Sequence, residues 1–341
     1  MGYALSAAGF DQAIRALRED YRIYAPVLKK GEGRFFDTDV VRYDFIDTAE
    51  EIELEQKSDY AFREILTPLS ETLLYFVEDT VREAEIDKRA TIVLLRACDL
   101  HAVRRLDDIY LHNGREEDWF YARLRETVRF ALIGCGHSYE NCFCASMGTN
   151  RADNYVFSVD CVDGEYRVDV KDDAFDGAFS ANSASPAEVT PRYVTENEIK
   201  VHVQEDVPLS MITSEIWDEY TARCINCGRC NFVCPTCTCY TMQDIFYTDN
   251  GRVGERRRVA ASCMVDGYTT VAGGGQYRKT NGERMRFKVL HKVYDHRKRF
   301  GYDMCVGCGR CSDVCPEYIS YSTILQKLDT AVAAELKKEA E

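Results

Sequence analysis

Apolar and polar positions along this chain change period several times, and each change marks an element. From Phe10 to Arg22 the residues Ile14 and Leu17 share one face of an amphipathic helix. Downstream of Gly31 and Gly33, VVRYDFIDTAEEIEL contains a short strand. Asp59 to Glu85 places Phe62, Leu66, Leu69, Leu73, Phe76 and Val77 near helical spacing, interrupted by Pro68. The first 90 residues therefore read as largely helical. TIVLL (Thr91 to Leu95) is a short, β-rich apolar run that suits a buried strand. A polar helical segment follows from Asp99 to Leu111, and RFALIGC (Arg129 to Cys135) reads as a second buried strand. Strand, helix and strand in that order predict a βα-type core.

Residues 155–170 alternate as YVFSVDCVDGEYRVDV, a β-hairpin that turns at Asp163-Gly164. AFSANSASPAE (Ala178 to Glu188) is small and polar and reads as an exposed loop, and the tail AVAAELKKEAE as a frayed helix. From about Ile212 helix-forming segments carry most of the cysteines, which puts a domain boundary near 205–212.

Composition narrows the chemistry. The chain has 341 residues, 43 basic and 57 acidic, for a net charge of −14. That length suits two domains with real cores. An acidic surface repels phosphates, so neither nucleic acid nor an anionic membrane is an expected partner. No apolar run reaches the roughly 18 residues of a membrane span. The N-terminus has no charged start followed by an apolar core, so no signal peptide is read. It matches M-G-x-x-x-S through Gly2 and Ser6, but no basic cluster follows to supply a second anchor. A cytoplasmic location is expected, where 16 cysteines suit metal ligation better than disulfides, and spacing decides which of them serve.

Their spacing is specific. Cys224-x2-Cys227-x2-Cys230-x3-Cys234-Pro235 recurs about 80 residues later as Cys305-x2-Cys308-x2-Cys311-x3-Cys315-Pro316. Three cysteines two residues apart wrap a loop around one iron–sulfur cube, and in two-cluster ferredoxins the remote cysteine ligates the other cube. Zinc sites generally use two well-separated pairs and fit this pattern poorly. The expected sets are Cys224, Cys227, Cys230 with Cys315, and Cys305, Cys308, Cys311 with Cys234, holding two [4Fe–4S] clusters. Gly228 and Gly309 suit loops in which a side chain would crowd the cluster. The intervening TMQDIFY and RMRFKVLHKVYDHRKRFG read as helices, and the basic run Arg286 to Arg299 as a solvated helix face, the alternative being a patch for an acidic partner or for the anionic cluster sulfurs. The chain is thus expected to be α+β. An N-terminal α/β-type domain with a β-hairpin spans 1–208, and an α-helical ferredoxin-like dicluster domain spans 209–341.

Other cysteines leave alternatives open. Cys237, Cys239 and Cys263 are read as thiols packed beside the cluster sulfurs, against a ligand or redox role. Cys98 follows one predicted strand, and Cys135, Cys142 and Cys144 follow the other, where ligand sites form in open α/β sheets. These four are candidates for a third [4Fe–4S] cluster or an all-cysteine zinc site, with His101 and His137 as substitute ligands, or else are packed thiols. Cys161, in the hairpin, is expected in the core. VAGGGQY (Val271 to Tyr277) lacks G-x-G-x-x-G and reads as a loop. No catalytic residue and no dinucleotide-binding fingerprint is found.

Together RACDLHAV, GCGHSYENCFCASMG, CINCGRCNFVCPTCTCY and CVGCGRCSDVCP resemble the iron–sulfur subunits of anaerobic sulfite reductases. Near relatives are the iron–sulfur β subunits of soluble NAD(P)-linked hydrogenases. The likeness covers nearly the whole chain, most clearly from about residue 85. It implies a cytoplasmic complex with a flavin subunit that takes electrons from NADH and a sirohaem subunit that reduces sulfite to sulfide. This chain would relay electrons between them through the eight dicluster cysteines. The alternatives are the β subunit of a hydrogenase or sulfhydrogenase, and a non-redox scaffold stabilised by its clusters.

Overall fold

The computed structural model describes residues 1–35, 37–183 and 185–340. They form two compact units: Met1–Leu66, Ile86–Tyr139 and Gly148–Asn197 in the first, and Thr67–Glu85, Glu140–Met147 and Glu198–Glu341 in the second. The sequence placed one boundary near 208. The chain instead leaves the first unit at 67–85 and 140–147 before its final crossing, because those stretches pair with C-terminal elements.

The first unit is built on β1 (Gly2–Leu5), α1 (Ala7–Leu17), β2 (Arg22–Lys29) and β3 (Val40–Ile46); β4 and β5 belong to the second unit. It continues with β6 (Thr91–Leu95), α2 (Ala97–Leu111), α3 (Trp119–Glu126), β7 (Val128–Ile133), β8 (Phe157–Val162), β9 (Glu165–Val170), α4 (Asp176–Ser180) and β10 (Ser185–Pro186). The strands join in one sheet, ordered β10-β1-β9-β8-β7-β6-β2-β3. β2, β6, β7 and β8 run parallel at its centre, with antiparallel neighbours on both sides. All five residues of TIVLL are buried, as a central parallel strand requires. Ser6 caps α1 by accepting from the Gly9 N–H at 3.1 Å, and Phe10, Ile14 and Leu17 face the core. The hairpin β8–β9 turns at Asp163 and Gly164, both with positive φ, which matches the strand twist. Cys161, expected in the core, is half-buried near the end of β8. Ala184, in the stretch read as a loop, lies outside the described residues.

The second unit contains β4 (Ser70–Val77), β5 (Thr80–Glu83), α5 (Asp218–Arg223), α6 (Arg229–Phe232), β11 (Tyr240–Phe246) and β12 (Val253–Ala260). After these come α7 (Asn281–Leu290), a π-helical turn (His291–Asp295), α8 (His296–Phe300), α9 (Arg310–Asp313) and α10 (Tyr321–Ala340). α10 covers the tail read as a frayed helix, except for Glu341, which lies outside the described residues.

Two helical expectations are corrected here. The 59–85 stretch keeps only a 3-10 turn at Phe62–Ile65 and then becomes the hairpin β4–β5, and TMQDIFY is strand β11. These segments form the sheet β11-β12-β4-β5, in which Thr72 pairs with Arg257. Such distant pairing outweighs local helical spacing. The C-terminal region is therefore mixed α/β rather than all-helical. Its core gathers Phe143, Trp217, Met285, Val289, Leu325 and Leu328.

Candidate metal centre

The two cysteine motifs fold alike. α5 ends at Cys224, whose N–H donates to the Tyr220 carbonyl at 3.1 Å. The next loop takes positive φ at Asn226 (68°) and Gly228 (74°); its counterpart does so at Gly307 (63°) and Gly309 (73°). Each loop then makes one short helix, α6 or α9. At the far end the Cys234 N–H donates to Asn231 O and the Cys315 N–H to Ser312 O, both at 3.2 Å. The protein itself also requires glycine at these positions. A Cβ on Gly228 would meet Val265 Cγ2 at 2.7 Å, and one on Gly309 would meet the Asn141 carbonyl at 2.2 Å. Left-handed backbone and close neighbours set both positions.

Cys224, Cys227, Cys230 and Cys315 line one cavity, which Cys311 also borders, walled by Met264, Met285, Ile319 and Ile324; within it Cys224 faces Cys230, Cys227 and Cys315. Cys315 thus stands with the trio of the other motif. Cys305 faces Cys311, Cys308 and Cys234, so the remote cysteine of the first motif stands with the second trio. Backbone amides point at sulfur in both places: Ile319 N–H donates to Cys315 Sγ at 3.3 Å and Gly307 N–H to Cys305 Sγ at 3.5 Å. Thiols around an apolar cavity, with N–H groups aimed at sulfur, fit a [4Fe–4S] cube. Cys227 is exposed whereas Cys308 is buried, so the first set lies nearer solvent.

Burial pushes the Cys224 thiol up, the Cys311 thiol up to about 12 and the Cys305 thiol well above its ordinary value. Cys234 differs. Burial raises it too, but Lys292 leads the opposing pulls and the thiol ends below the ordinary value.

The basic run before the second motif is not the solvated face read from its charge. Lys298 and Arg299 are exposed, but Lys288 and Lys292 are 4% and 5% exposed. Four residues apart, they share one helix face, and that face points at the cysteines. The alternative reading of the run, a patch for the cluster sulfurs, fits these two lysines, but the sequence did not single them out; the only signal was their i, i+4 spacing in a helix running between the two motifs.

Cys237, Cys239 and Cys263 converge on a second cavity, shared with Tyr268, Arg278 and His291. Cys239 hydrogen-bonds with the other two thiols, and Asn231 Nδ2 donates to Cys263 Sγ at 3.1 Å.

The remaining candidates fall in both units. Cys98 lies in the first turn of α2 and Cys135 just after β7, in the first unit. Arg96, the N-cap residue of α2, is buried beside them and donates to the carbonyls of Leu54 (2.7 Å), Gln56 (3.1 Å) and Gly134 (3.1 Å). Cys142 and Cys144 are buried in the second unit, where Cys142 Sγ donates to the Cys308 carbonyl at 3.5 Å. His101 Nε2 is engaged by the Arg151 carbonyl at 2.7 Å, and His137 packs edge-on against Tyr139. VAGGGQY is a loop closed by a bridge from Thr270 to Gln276, as expected.

Residues 223–319 match the family described as 4Fe-4S dicluster domain. Over 340 residues the chain is 28% identical to sulfhydrogenase 2 subunit beta of Pyrococcus furiosus, covering 94% of this chain and 96% of that protein. No solved structure matches. Residues 223–319 are thus similar to a 4Fe-4S dicluster domain, and both likenesses support an iron–sulfur electron-transfer subunit. The relative is of the hydrogenase β kind that the sequence likeness placed second, and neither comparison supports sulfite reductase specifically. Among the described residues no helix is long and apolar enough to cross a membrane.

Proposed function

We propose that this chain is the iron–sulfur subunit of a multi-subunit oxidoreductase of the sulfhydrogenase type, relaying electrons between its partners. Two [4Fe–4S] clusters would supply its one-electron sites. Cys224, Cys227, Cys230 and Cys315 would hold one, and Cys305, Cys308, Cys311 and Cys234 the other. The observation that carries this reading is the gathering of each trio with the remote cysteine of the other motif. A purely structural site needs only one metal, whereas two linked sets, one near solvent and one buried, suit a relay.

The chain's own residues do three things for that task. Met264, Met285, Ile319 and Ile324 give the first set an apolar wall. The Gly307 and Ile319 amides hydrogen-bond sulfur. The left-handed residues of each loop let the chain turn tightly between its cysteines. The chain itself carries no catalytic site in this reading. Two further chains, a flavin-bearing NAD(P)H reductase and a catalytic component, complete the complex in the cytoplasm.

Sulfite reductase, with a sirohaem partner, is the second reading; it rests on RACDLHAV and CFCASMG, whereas near full-length likeness to the sulfhydrogenase protein favours the first. Anaerobic co-purification from the native cell separates them. A nickel-containing partner supports the sulfhydrogenase reading, a sirohaem partner replaces it with the second, and a chain that purifies alone as a stable monomer refutes both. Isolated chain that turned over hydrogen or sulfite would remove the relay assignment.

A further inference from the structure

We propose that Lys288 and Lys292 set the reduction potentials of the two cysteine-held sites, Lys288 acting on both and Lys292 on the second alone. The inference rests on the reading that these cysteines hold [4Fe–4S] clusters.

Both ammonium groups are buried on one face of the α7 helix and the π-turn that follows it. Lys288 hydrogen-bonds Cys230 of the first set and faces Cys311 and Cys234 of the second. Its ammonium also sits 5.3 Å from the centre of the Tyr321 ring. Lys292 faces Cys234, Cys237 and Cys305. It donates to Thr236 Oγ1 at 2.9 Å, and that hydroxyl lies 3.4 Å from Cys234 Sγ. A relay of two contacts thus ties the cation to a ligand sulfur.

The backbone holds Lys292 in register with the second motif. Within the π-turn its carbonyl accepts from the Met304 N–H at 2.8 Å and from the Cys305 N–H at 3.2 Å. The widened turn leaves this carbonyl free to bond outside the helix, a common use of π-bulges at functional sites. The Lys292 backbone is therefore tied to the first cysteine of the set.

Burying an ammonium is costly unless opposite charge faces it. Among the described residues these two face cysteine sulfurs, a hydroxyl, carbonyl oxygen, the Met304 thioether and an aromatic ring, and Lys292 also feels the like charge of Lys288. The sulfurs are thus the counter-charge. A thiolate-ligated cube gains negative charge on reduction, so a fixed neighbouring cation favours the reduced form and raises the potential. Position decides which cube responds to which lysine.

The test is an EPR-monitored redox titration of the iron-reconstituted full chain, with Cys227→Ser and Cys308→Ser marking the signal of each set. Lys288→Met is expected to lower both midpoints and Lys292→Met only that of the Cys305 set. Lys288→Arg and Lys292→Arg, which keep the charge, should stay near wild type. Thr236→Val, which removes the hydroxyl linking the Lys292 ammonium to Cys234, should lower the second midpoint by less than Lys292→Met. Unmoved midpoints at wild-type iron content overturn the assignment, as do arginine variants that shift as far as methionine variants. Should the methionine variants lose iron, wild-type midpoints in Thr236→Val overturn the Lys292 role. Identical midpoints in the wild type and a Lys288→Gln variant that keeps its iron do the same for Lys288. A wild-type chain that takes up no iron refutes the ligand reading instead.

Discussion

The Phe143 N–H donates to the Gly307 carbonyl at 2.8 Å, which docks the segment Glu140–Met147 on the loop of the second cysteine motif. Asn141 Nδ2 adds a bond to Asp313 Oδ1 at 2.8 Å. Contact is so close that a Cβ on Gly307 would lie 2.6 Å from the Phe143 carbonyl carbon and oxygen. Its counterpart in the first motif, Asn226, carries a side chain at nearly the same positive φ. The two positions should therefore respond differently. Gly307→Asn is expected to cost about 1–3 kcal/mol from backbone strain, plus the clash, and to release iron from the second set. Asn226→Gly should leave iron content near wild type. Iron per chain and anaerobic urea unfolding measure both. Equal tolerance at the two sites would show that the docked segment does not constrain the motif.

Arg96 should be a stability determinant of the first unit. Its guanidinium spans the carbonyls of Leu54, Gln56 and Gly134, tying the loop after β7 to the 54–56 segment just ahead of Cys98. Bonds from a charged donor contribute about 1.5–3 kcal/mol each, and their loss strands buried carbonyls. Arg96→Met is expected to destabilise by on the order of 3 kcal/mol or more. Arg96→Lys should recover only part, because one ammonium lacks the planar fork that reaches three acceptors. Urea unfolding followed by tyrosine fluorescence reads this; a shift below about 1 kcal/mol in Arg96→Met would remove the clamp from the account.

These two cases show where the sequence was legible. TIVLL, RFALIGC, the Asp163-Gly164 hairpin and both cysteine motifs rest on local signals: apolar runs, turn chemistry and spacing. The sheet β11-β12-β4-β5 rests on pairing between Thr72 and Arg257, which no local period encodes, so helical spacing at 59–85 misled. The run Arg286 to Arg299 shows its charge openly, but a buried lysine and an exposed one look alike in sequence. Only the helix face separates Lys288 and Lys292 from Lys298. The docking of Phe143 on Gly307 is equally non-local.

Cys98 and Cys135 belong to the first unit and Cys142 and Cys144 to the second, so the third cube expected from the sequence is a question for iron content. Fully loaded chain should hold about twelve irons with it and about eight without it. Cys142→Ser with Cys144→Ser is expected to remove about four. Because Cys142 Sγ bonds the Cys308 carbonyl, the signal of the second set must be followed at the same time. Cys98→Ser, remote in sequence from the second motif, serves as the independent variant. An iron count unchanged in both would eliminate the third cluster.

The last expectation concerns which cysteine belongs to which cube. After α6 the Cys234 N–H turns back to Asn231, and Pro235 offers no N–H and fixes φ, so the chain leaves its own loop there. Cys315 and Pro316 repeat this after α9. The departing thiols reach the other motif: Cys315 lines the cavity of Cys224, Cys227 and Cys230, and Cys234 faces Cys305. Cys315→Ser should therefore reproduce the spectral change of Cys227→Ser, although Cys227 lies far upstream in the sequence. Local ligation makes the opposite forecast, a change matching Cys308→Ser with the first set untouched. EPR of the two single variants against Cys315→Ser decides between them. A Cys315→Ser spectrum that coincides with Cys308→Ser would end the cross-ligated arrangement, and with it the reason for the two motifs to share one core.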